Sequence, residues 1–295
     1  MATQWFTAQD GVRLRLWSTG RRQGPPVVLC HGGPGLWDDL EPLARFIEGR
    51  ALVQRYDQRG CGRSEGAAGP FTLERFVEDL GAVVEAAAGP AANGSHPGPP
   101  SPVVVAGHSW GATLALHYAL ARPERCAGVL YVSGTGLGQG WRAAWAAEAD
   151  RRLSPAQRRR RDELGARART WGEEVELRTL LWAPDFAEPT GALELAAEAA
   201  SIPVEVNVAC ARAIDAELRG LAEDELAQRC RASPVPVLVL HGGRDPRPAS
   251  ALDSLVAALP RAEILVIPGA GHRPWVERPA MFARSVHAFL DRVLP

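Results

Sequence analysis

One stretch decides the fold: Val103-Val104-Val105-Ala106-Gly107-His108-Ser109-Trp110-Gly111-Ala112-Thr113-Leu114-Ala115-Leu116. A β-branched run gives way here to a helical one, and a G-x-S-x-G pattern falls at the change. Strand, sharp turn and helix in this order form a nucleophile elbow, in which a strained turn lifts a serine hydroxyl out of the backbone. Such a turn needs very small residues two positions before and after the nucleophile, and Gly107 and Gly111 supply them. The stretch predicts that Ser109 is a nucleophile.

A second G-x-S-x-G pattern, Gly62-Arg63-Ser64-Glu65-Gly66, has a different context. No strand-like run precedes Ser64, and the residues after it, 65–70, are rich in Gly and Ala and end on a Pro. We therefore expect Ser64 to be a loop serine.

Short apolar runs alternate with amphipathic patterns on both sides of the elbow, which predicts an α/β fold with a mostly parallel sheet and crossover helices. Asp10-Gly11 predicts a hairpin turn before the first of these runs. Thr72 is a candidate N-cap, and residues 89–101 read as an exposed loop. The predicted strands are 12–17, 26–30, 52–56, 103–106, 128–132, 235–240 and 264–267, and the predicted helices are 72–88, 110–122 and 279–293. The six strands after 12–17 lack polar alternation, so we expect them to be parallel and covered on both faces.

Residues 137–233 break this alternation, because their pattern is helical throughout except for the short run at 204–208. A helical segment between two strands of one sheet would lie above the strand ends as a cap. We predict a first core part at 1–136, a helical cap at 137–233 and a second core part at 234–295.

A serine nucleophile needs a base, and the base needs an orienting carboxylate. His272 follows the last predicted strand, and Asp245 follows the strand before it. The carboxyl ends of strands are where open α/β sheets place their sites. The other position that such folds use for the acid, 133–136, holds no carboxylate. The remaining histidines lie in structural settings: His31, His96, His108, His117, His241 and His287.

The stretch His31-Gly32-Gly33-Pro34-Gly35 also follows a predicted strand. Glycines let backbone N–H groups approach a developing oxyanion without side-chain interference. We expect the N–H groups of Gly33 and of Trp110, the residue after the nucleophile, to form an oxyanion hole.

Together these motifs resemble the proline iminopeptidase-type branch of the α/β-hydrolase fold. The residues that carry the resemblance are 31–35, 56–64, 107–111, 243–245 and 271–272. The resemblance implies a Ser-His-Asp hydrolase, often an aminopeptidase, whose cap carboxylates bind the free amine of the substrate. It also implies that Asp57 and Arg59 organise a loop. Ser109 excludes the relatives with an aspartate nucleophile, namely epoxide hydrolases and haloalkane dehalogenases.

One position departs from the iminopeptidase pattern, and it leaves the substrate open. Iminopeptidases usually carry Gly where this chain has His108, whereas many esterases and lactonases of the fold carry His. A carboxylesterase or lactonase acting on a small secondary metabolite is therefore the alternative, and a slow-turnover small-molecule receptor on the same fold is a third.

Three cap residues are candidates for substrate binding. Trp141 and Trp182 would provide apolar walls, unless they only pack cap helices. Glu205 lies among β-branched residues, so its carboxylate is expected to be partly buried and to need a cation. That cation is either a substrate ammonium or an internal partner such as Arg212.

Composition excludes several other classes. The 33 basic residues, all Arg, nearly cancel 34 acidic ones, for a net charge of −1 among 295 residues. We expect no nucleic-acid or membrane partner and a cytoplasmic protein acting on a small molecule or short peptide. The Arg run at 151–152 and 158–161 is flanked by Asp150, Asp162 and Glu163, as on a solvated helix face. Five cysteines without a C-x-x-C pair favour free thiols, and no metal or cofactor is expected.

Overall fold

The computed structural model describes residues 3–21, 25–88 and 102–294. Within them, eight strands form one sheet in the order β1-β2-β4-β3-β5-β6-β7-β8. The first strand pairs antiparallel with the second and the second antiparallel with the fourth, and the other pairs are parallel. The strands are β1 Thr3–Thr7, β2 Arg13–Gly20, β3 Pro26–Cys30, β4 Leu52–Tyr56, β5 Val103–His108, β6 Cys126–Val132, β7 Val237–Gly242 and β8 Ala262–Ile267. The predicted α/β fold is confirmed.

Twelve helices accompany this sheet in the described residues. They are α1 Glu41–Ala44, α2 Leu73–Ala88, α3 Trp110–Ala121, α4 Trp141–Arg152, α5 Pro155–Gly165, α6 Trp171–Trp182, α7 Pro189–Ala200, α8 Val208–Gly220, α9 Glu223–Arg231, α10 Asp253–Ala258, α11 Pro274–Glu277 and α12 Pro279–Val293. Thr72 caps α2 as predicted, because its hydroxyl accepts a hydrogen bond from the Arg75 N–H at 3.2 Å. The predicted hairpin turn is also present, with Gly11 at φ 87°.

Both faces of the central strands are buried, since alternate residues point to opposite sides of a sheet. Along β5, Val103 and Val105 pack into one apolar cluster with α2 and α3, while Val104 and Ala106 pack into a second cluster with α1 and α12. The prediction of full coverage is wrong for β8, which pairs with β7 alone. Its Ile264 and Val266 are 41% and 38% exposed, because an edge strand has fewer neighbours to cover it.

Residues 137–233 hold α4 to α9 and a 3-10 turn at Ala183–Asp185, and no strand. This segment, here called the helical insertion, leaves the sheet after β6 and returns to it at β7. The short run at 204–208 forms no strand; residues 203–207 are irregular and lead into α8. The boundaries of a separate cap domain stay a prediction, as does its first residue, 137.

The loop predicted at 89–101 lies outside the described residues. Among the helices that the structure does describe, none is long and apolar enough to cross a bilayer.

Candidate active site

Ser109 occupies a strained turn between β5 and α3. Its backbone lies at φ 55° and ψ −118°, a region that residues with a side chain rarely adopt. A Cβ atom at Gly107 would collide with the Gly111 carbonyl, and one at Gly111 with the carbonyl of Cys30. The prediction that this turn requires both glycines is confirmed. The Ser109 N–H donates to the Val132 carbonyl at 2.9 Å, which ties the turn to the end of β6.

His272 and Asp245 lie on the loops after β8 and β7 and contact each other directly. The His272 Nδ1 and the Asp245 Oδ2 are 2.6 Å apart. Burial of Asp245 opposes its ionisation, but the nearby His272 and Arg247 outweigh that effect and hold the pKa of the carboxyl below its usual range. An ionised carboxylate here accepts the Nδ1–H, so the Nε2 of the ring is left to face a reacting group.

His108 holds the His272 loop against the elbow. Its Nε2–H donates to the His272 carbonyl at 2.9 Å, and the two imidazole rings lie 4.7 Å apart. The ring of Trp275 packs edge-on against the other side of His108, at 4.7 Å. Burial lowers the pKa of His108 well below its ordinary value, so this ring is neutral. His108, the neighbour of Ser109 in the elbow, thus contacts His272, which lies 164 positions further along the chain.

The predicted oxyanion loop lies against the same turn. A Cβ atom at Gly32 would meet the Ser109 Cβ at 3.2 Å, and Gly33 adopts φ 51°. Trp110 is the first residue of α3, where backbone N–H groups have no partner within the helix. Its indole N–H donates to the Gln58 side chain at 2.8 Å, which keeps the ring out of the site. The elements that carry the two predicted donors therefore meet at Ser109.

The histidine that opens this loop, His31, has a structural role. Its Nδ1–H donates to the Gly32 carbonyl at 2.8 Å, and its Nε2 accepts the Gln58 backbone N–H at 3.0 Å. Both nitrogens are thereby engaged, so His31 is not free to act as the base. His241 is also structural, because its Nε2–H donates to the Arg247 carbonyl at 2.9 Å.

Asp57, Arg59 and Ser64 organise the loop after β4. The Asp57 carboxylate accepts backbone N–H groups of Asp38 and Arg63, both at 2.9 Å. Arg59 is fully buried and pairs with Asp79 at 2.7 Å. The Ser64 hydroxyl donates to the Asp57 carbonyl at 2.6 Å. The predicted loop roles of these residues are confirmed.

Sequence reasoning missed a second charged group beside the acid. The Arg247 N–H donates to the Asp245 Oδ1 at 2.9 Å, and its guanidinium lies 3.3 Å from the same oxygen and 2.6 Å from the Asp185 carboxylate. Asp185 belongs to the helical insertion, and its carbonyl accepts the His272 N–H at 2.7 Å. No motif marks Asp185, since its link to the site arises only when the insertion folds back on the sheet.

Of the three predicted substrate-binding residues, Trp182 contacts the residues that follow the oxyanion loop, and Trp141 is linked to the acid side only through Trp145. Trp182 packs edge-on against Trp37, with ring centroids 6.0 Å apart. Trp141 packs on Trp145 at 6.1 Å, and the Arg247 guanidinium lies 5.4 Å from the Trp145 ring. Tryptophans of the insertion therefore border both the oxyanion side and the acid side of the site.

The expectation that Glu205 is partly buried is wrong. It lies exposed on the irregular segment before α8, because residues 204–208 form no strand that would cover it. No ion pair joins it to Arg212, although both belong to the described chain. The segment does reach the oxyanion loop, since the Asn207 N–H donates to the Gly35 carbonyl at 2.8 Å.

The Arg run of the insertion is largely paired with acids on its own helices. Arg151 contacts Glu148 at 2.7 Å, and Arg160 contacts Glu163 at 2.9 Å. Arg152 also contacts Glu148 at 2.7 Å, and in addition it donates to the Arg244 carbonyl on the core at 2.7 Å.

Comparison with known proteins places these observations in a family. The profile of the Alpha/beta hydrolase family matches residues 27–285. "Probable oxidoreductase EphD" of Mycobacterium tuberculosis is 36% identical over 133 residues, which are 42% of this chain and 20% of that protein. Proline iminopeptidase of Heyndrickxia coagulans is 34% identical over 113 residues, which are 37% of this chain and 35% of that protein. The chain thus spans about a fifth to a third of these curated relatives.

Solved structures agree on the architecture. A thermophilic esterase from Thermogutta terrifontis superposes with a TM-score of 0.72 and 21% identity, covering 100% of both chains. Identity this low speaks for the fold alone. Because the family profile spans most of the sequence and the sheet and its loops have the expected order, the chain belongs to the alpha/beta hydrolase family.

Proposed function

We propose that this hydrolase is a serine hydrolase that cleaves an amide or ester through an acyl-enzyme, with Ser109, His272 and Asp245 as its catalytic triad. The observation that carries the proposal is the 2.6 Å contact of His272 with Asp245, on a loop that His108 binds beside the strained Ser109. An ionised acid, an imidazole and an elbow serine are the three parts that this chemistry needs.

In the proposed reaction, the Ser109 Oγ attacks the substrate carbonyl carbon while its proton passes to the Nε2 of His272. Asp245 stabilises the resulting imidazolium through the Nδ1–H. The N–H groups of Gly33 and Trp110 bind the oxyanion, and each donor contributes about 10²–10³ in rate. The imidazolium then protonates the leaving amine or alcohol. Water attacks the acyl-enzyme, His272 takes up its proton, and the carboxylic acid departs as Ser109 is restored.

The favoured substrate is a short peptide with a free N-terminus, as in proline iminopeptidases. The resemblance of the motifs and the similarity to the Heyndrickxia enzyme support this choice. Trp182, packed on Trp37, provides an apolar wall for a prolyl or alanyl side chain. Glu205 is exposed on a segment bound to the oxyanion loop, and its carboxylate is the candidate anchor for the substrate ammonium.

A second candidate is a carboxylesterase or lactonase. The observation that favours it is His108, which replaces the usual iminopeptidase glycine and binds the His272 loop at 2.9 Å.

A rate panel decides between the two. Prolyl and alanyl aminomethylcoumarin amides are compared with p-nitrophenyl esters of short acids and with small lactones, each with wild type and Ser109→Ala. Aminopeptidase function predicts the higher kcat/KM on the amides, and the alternative predicts it on the esters. Hydrolysis of every substrate by Ser109→Ala at the wild-type rate would contradict both. An unchanged amide rate in Glu205→Gln would remove the ammonium-anchor role.

A further inference from the structure

The loop that carries the proposed acid meets the helical insertion at a buried ion pair. The Arg247 guanidinium and the Asp185 carboxylate are 2.6 Å apart, and their side chains are only 12% and 16% exposed. Ion pairs on the surface contribute little to stability. Each charge of a pair that is shielded from water, however, acts strongly on a third charge close to it. The pair therefore acts on the charges nearest to it, and the nearest is Asp245.

Arg247 binds the carboxylate oxygen of Asp245 that does not contact His272. Its backbone N–H and its guanidinium approach Oδ1 at 2.9 Å and 3.3 Å, while Oδ2 accepts from His272. With both oxygens occupied, the carboxylate has one orientation, and Oδ2 is held toward the imidazole. At metal sites, loss of a partner that orients a ligating side chain changes activity by about 10- to 100-fold, and we expect an effect of similar size here.

Asp185 acts on the imidazole from the other side. Its backbone carbonyl accepts the His272 N–H at 2.7 Å, so one residue of the insertion contacts both Arg247 and the His272 backbone. Its negative charge also offsets the positive charge of Arg247. Without that offset, the guanidinium would disfavour the imidazolium that forms during the reaction.

We propose that Asp185 and Arg247 form a positioning pair, through which the helical insertion orients Asp245 and balances the charge around His272. The inference rests on the proposed triad and adds to it a residue from outside the α/β core. The insertion is then required for the chemical step as well as for shaping a pocket.

Other charged or titratable groups surround the acid and the imidazole, and they stay in place in the variants below. They are His241 and Arg244 on the acid loop, His108 at the elbow, Arg273 with its partner Asp39, Arg152 of the insertion, and Glu277, which accepts the Gly271 N–H. Burial lowers the pKa of both the His108 and the His241 ring, and that of His108 well below its ordinary value.

The test uses a fluorophosphonate probe, whose reaction with an activated serine needs no knowledge of the natural substrate. The second-order labelling rate of Ser109 is measured from pH 5 to 9 in the full chain. The acidic midpoint of that profile reports protonation of the imidazole. Arg247→Met removes a positive charge and should raise the midpoint, while Asp185→Asn removes a negative charge and should lower it, each by about half a pH unit or more.

Two further variants isolate the charge effect. The double variant Asp185→Asn/Arg247→Met removes one charge of each sign, so its midpoint should lie near that of wild type although its plateau rate falls about 10-fold or more. Arg247→Lys keeps the charge and should keep the midpoint. Glu188→Gln is the matched control, because Glu188 pairs with Arg244 across the same boundary but is 57% exposed, at 3.9 Å. It should leave the whole profile unchanged.

Opposite shifts in the two single variants support the positioning pair. A wild-type midpoint in both single variants, or shifts in the same direction, would overturn the positioning pair. This holds even where the plateau rates fall, because a purely structural contact lowers rates without moving the midpoint in opposite directions. Asp185→Asn preserves side-chain shape and the backbone contact to His272, so it tests the pair even if Arg247→Met does not fold: an unchanged or raised midpoint in Asp185→Asn alone would overturn the pair. Failure of the wild type to be labelled at Ser109 would instead overturn the proposed triad.

Discussion

The backbone of Ser109 shows how a single residue depends on its neighbours. At φ 55° a residue with a side chain sits about 1–3 kcal/mol above its relaxed state, so the surroundings must hold it there. Here the turn is bound to β6 by one hydrogen bond and enclosed by two glycines whose missing side chains leave room for backbone carbonyls. The position of the proposed nucleophile therefore depends on the absence of a Cβ atom at Gly107 and Gly111.

Gly107→Ala should destabilise the protein by about 2 kcal/mol or more, because the new Cβ collides with a backbone carbonyl that cannot rotate away. Labelling of Ser109 by the fluorophosphonate should fall in parallel. Urea unfolding and the labelling rate measure the two effects. Gly172→Ala, on the exposed face of α6 with open space around it, is the control and should stabilise by up to ~1 kcal/mol. Equal stability of the two variants would contradict this reading of the elbow.

Acid sensitivity at the residue scale follows from His117, a buried ring on α3. Burial, helped by Arg229, lowers its pKa from 6.5 to about 4. The folded protein then binds fewer protons than the unfolded chain between these values, so stability declines as the pH falls from 6.5 toward 4. His117→Leu should remove up to ~3 kcal/mol of that decline. Urea unfolding at pH 4.5 and pH 7 measures it, and an identical difference in both proteins would refute the assignment.

At the scale of elements, the start of α8 links the helical insertion to the core. The Asn207 side chain caps the helix by accepting the Cys210 N–H at 3.0 Å, and its amide donates to the Gly60 and Ala67 carbonyls at 3.0 Å and 3.2 Å. Its backbone N–H binds Gly35 of the oxyanion loop. One residue thus ends a loop, begins a helix and joins two parts of the fold.

Asn207→Ala should cost about 2–3 kcal/mol of unfolding free energy, the sum of a lost cap and two lost hydrogen bonds. The serine-labelling rate should also drop several-fold, since the oxyanion loop loses support. Thr170→Ala removes the N-cap of α6, where, among the described residues, the Thr170 hydroxyl bonds only Glu173 of the same helix, and should cost only about 1 kcal/mol with labelling unchanged. If both variants behave alike, α8 does not support the site.

Across the whole molecule, features that depend on residues close in sequence were predicted correctly, and features that depend on distant residues were not. The parallel strands, the elbow glycines and the loop position of Ser64 were readable, because each depends on local pattern or on the order of strands. The loop role of Asp57 came from the family resemblance. Exposure along β8 was missed, since sheet order decides which strand lies at an edge. The burial of Glu205 was misjudged because its β-branched neighbours favour a strand that the fold does not form.

The charged partners at the boundary of insertion and core were invisible in the sequence. Arg247 lies two positions after Asp245, but its partner Asp185 is 62 positions away. Nothing in the residues around 185 distinguishes that carboxylate from the other acids of the insertion. Contacts between segments that pack only after folding leave no periodic signal.

The distribution of the cysteines gives a test of the whole fold. All five are free and buried, and burial raises the pKa of Cys30 and of Cys126 to about 12. Since the thiolate is the reactive form, an aromatic disulfide reagent should modify none of them over minutes in the native protein and all five in denaturant. Rapid modification of one thiol under native conditions would show that the surrounding packing is wrong.

The site of covalent labelling tests most directly whether Ser109 is the nucleophile. The protein is incubated with a fluorophosphonate and digested, and the modified peptide is identified by mass spectrometry, for wild type, Ser109→Ala and Ser64→Ala. One label per chain is expected at Ser109 in wild type and in Ser64→Ala, and no label is expected in a folded Ser109→Ala. A label that persists in Ser109→Ala, or one found at Ser64, would contradict the role of Ser109.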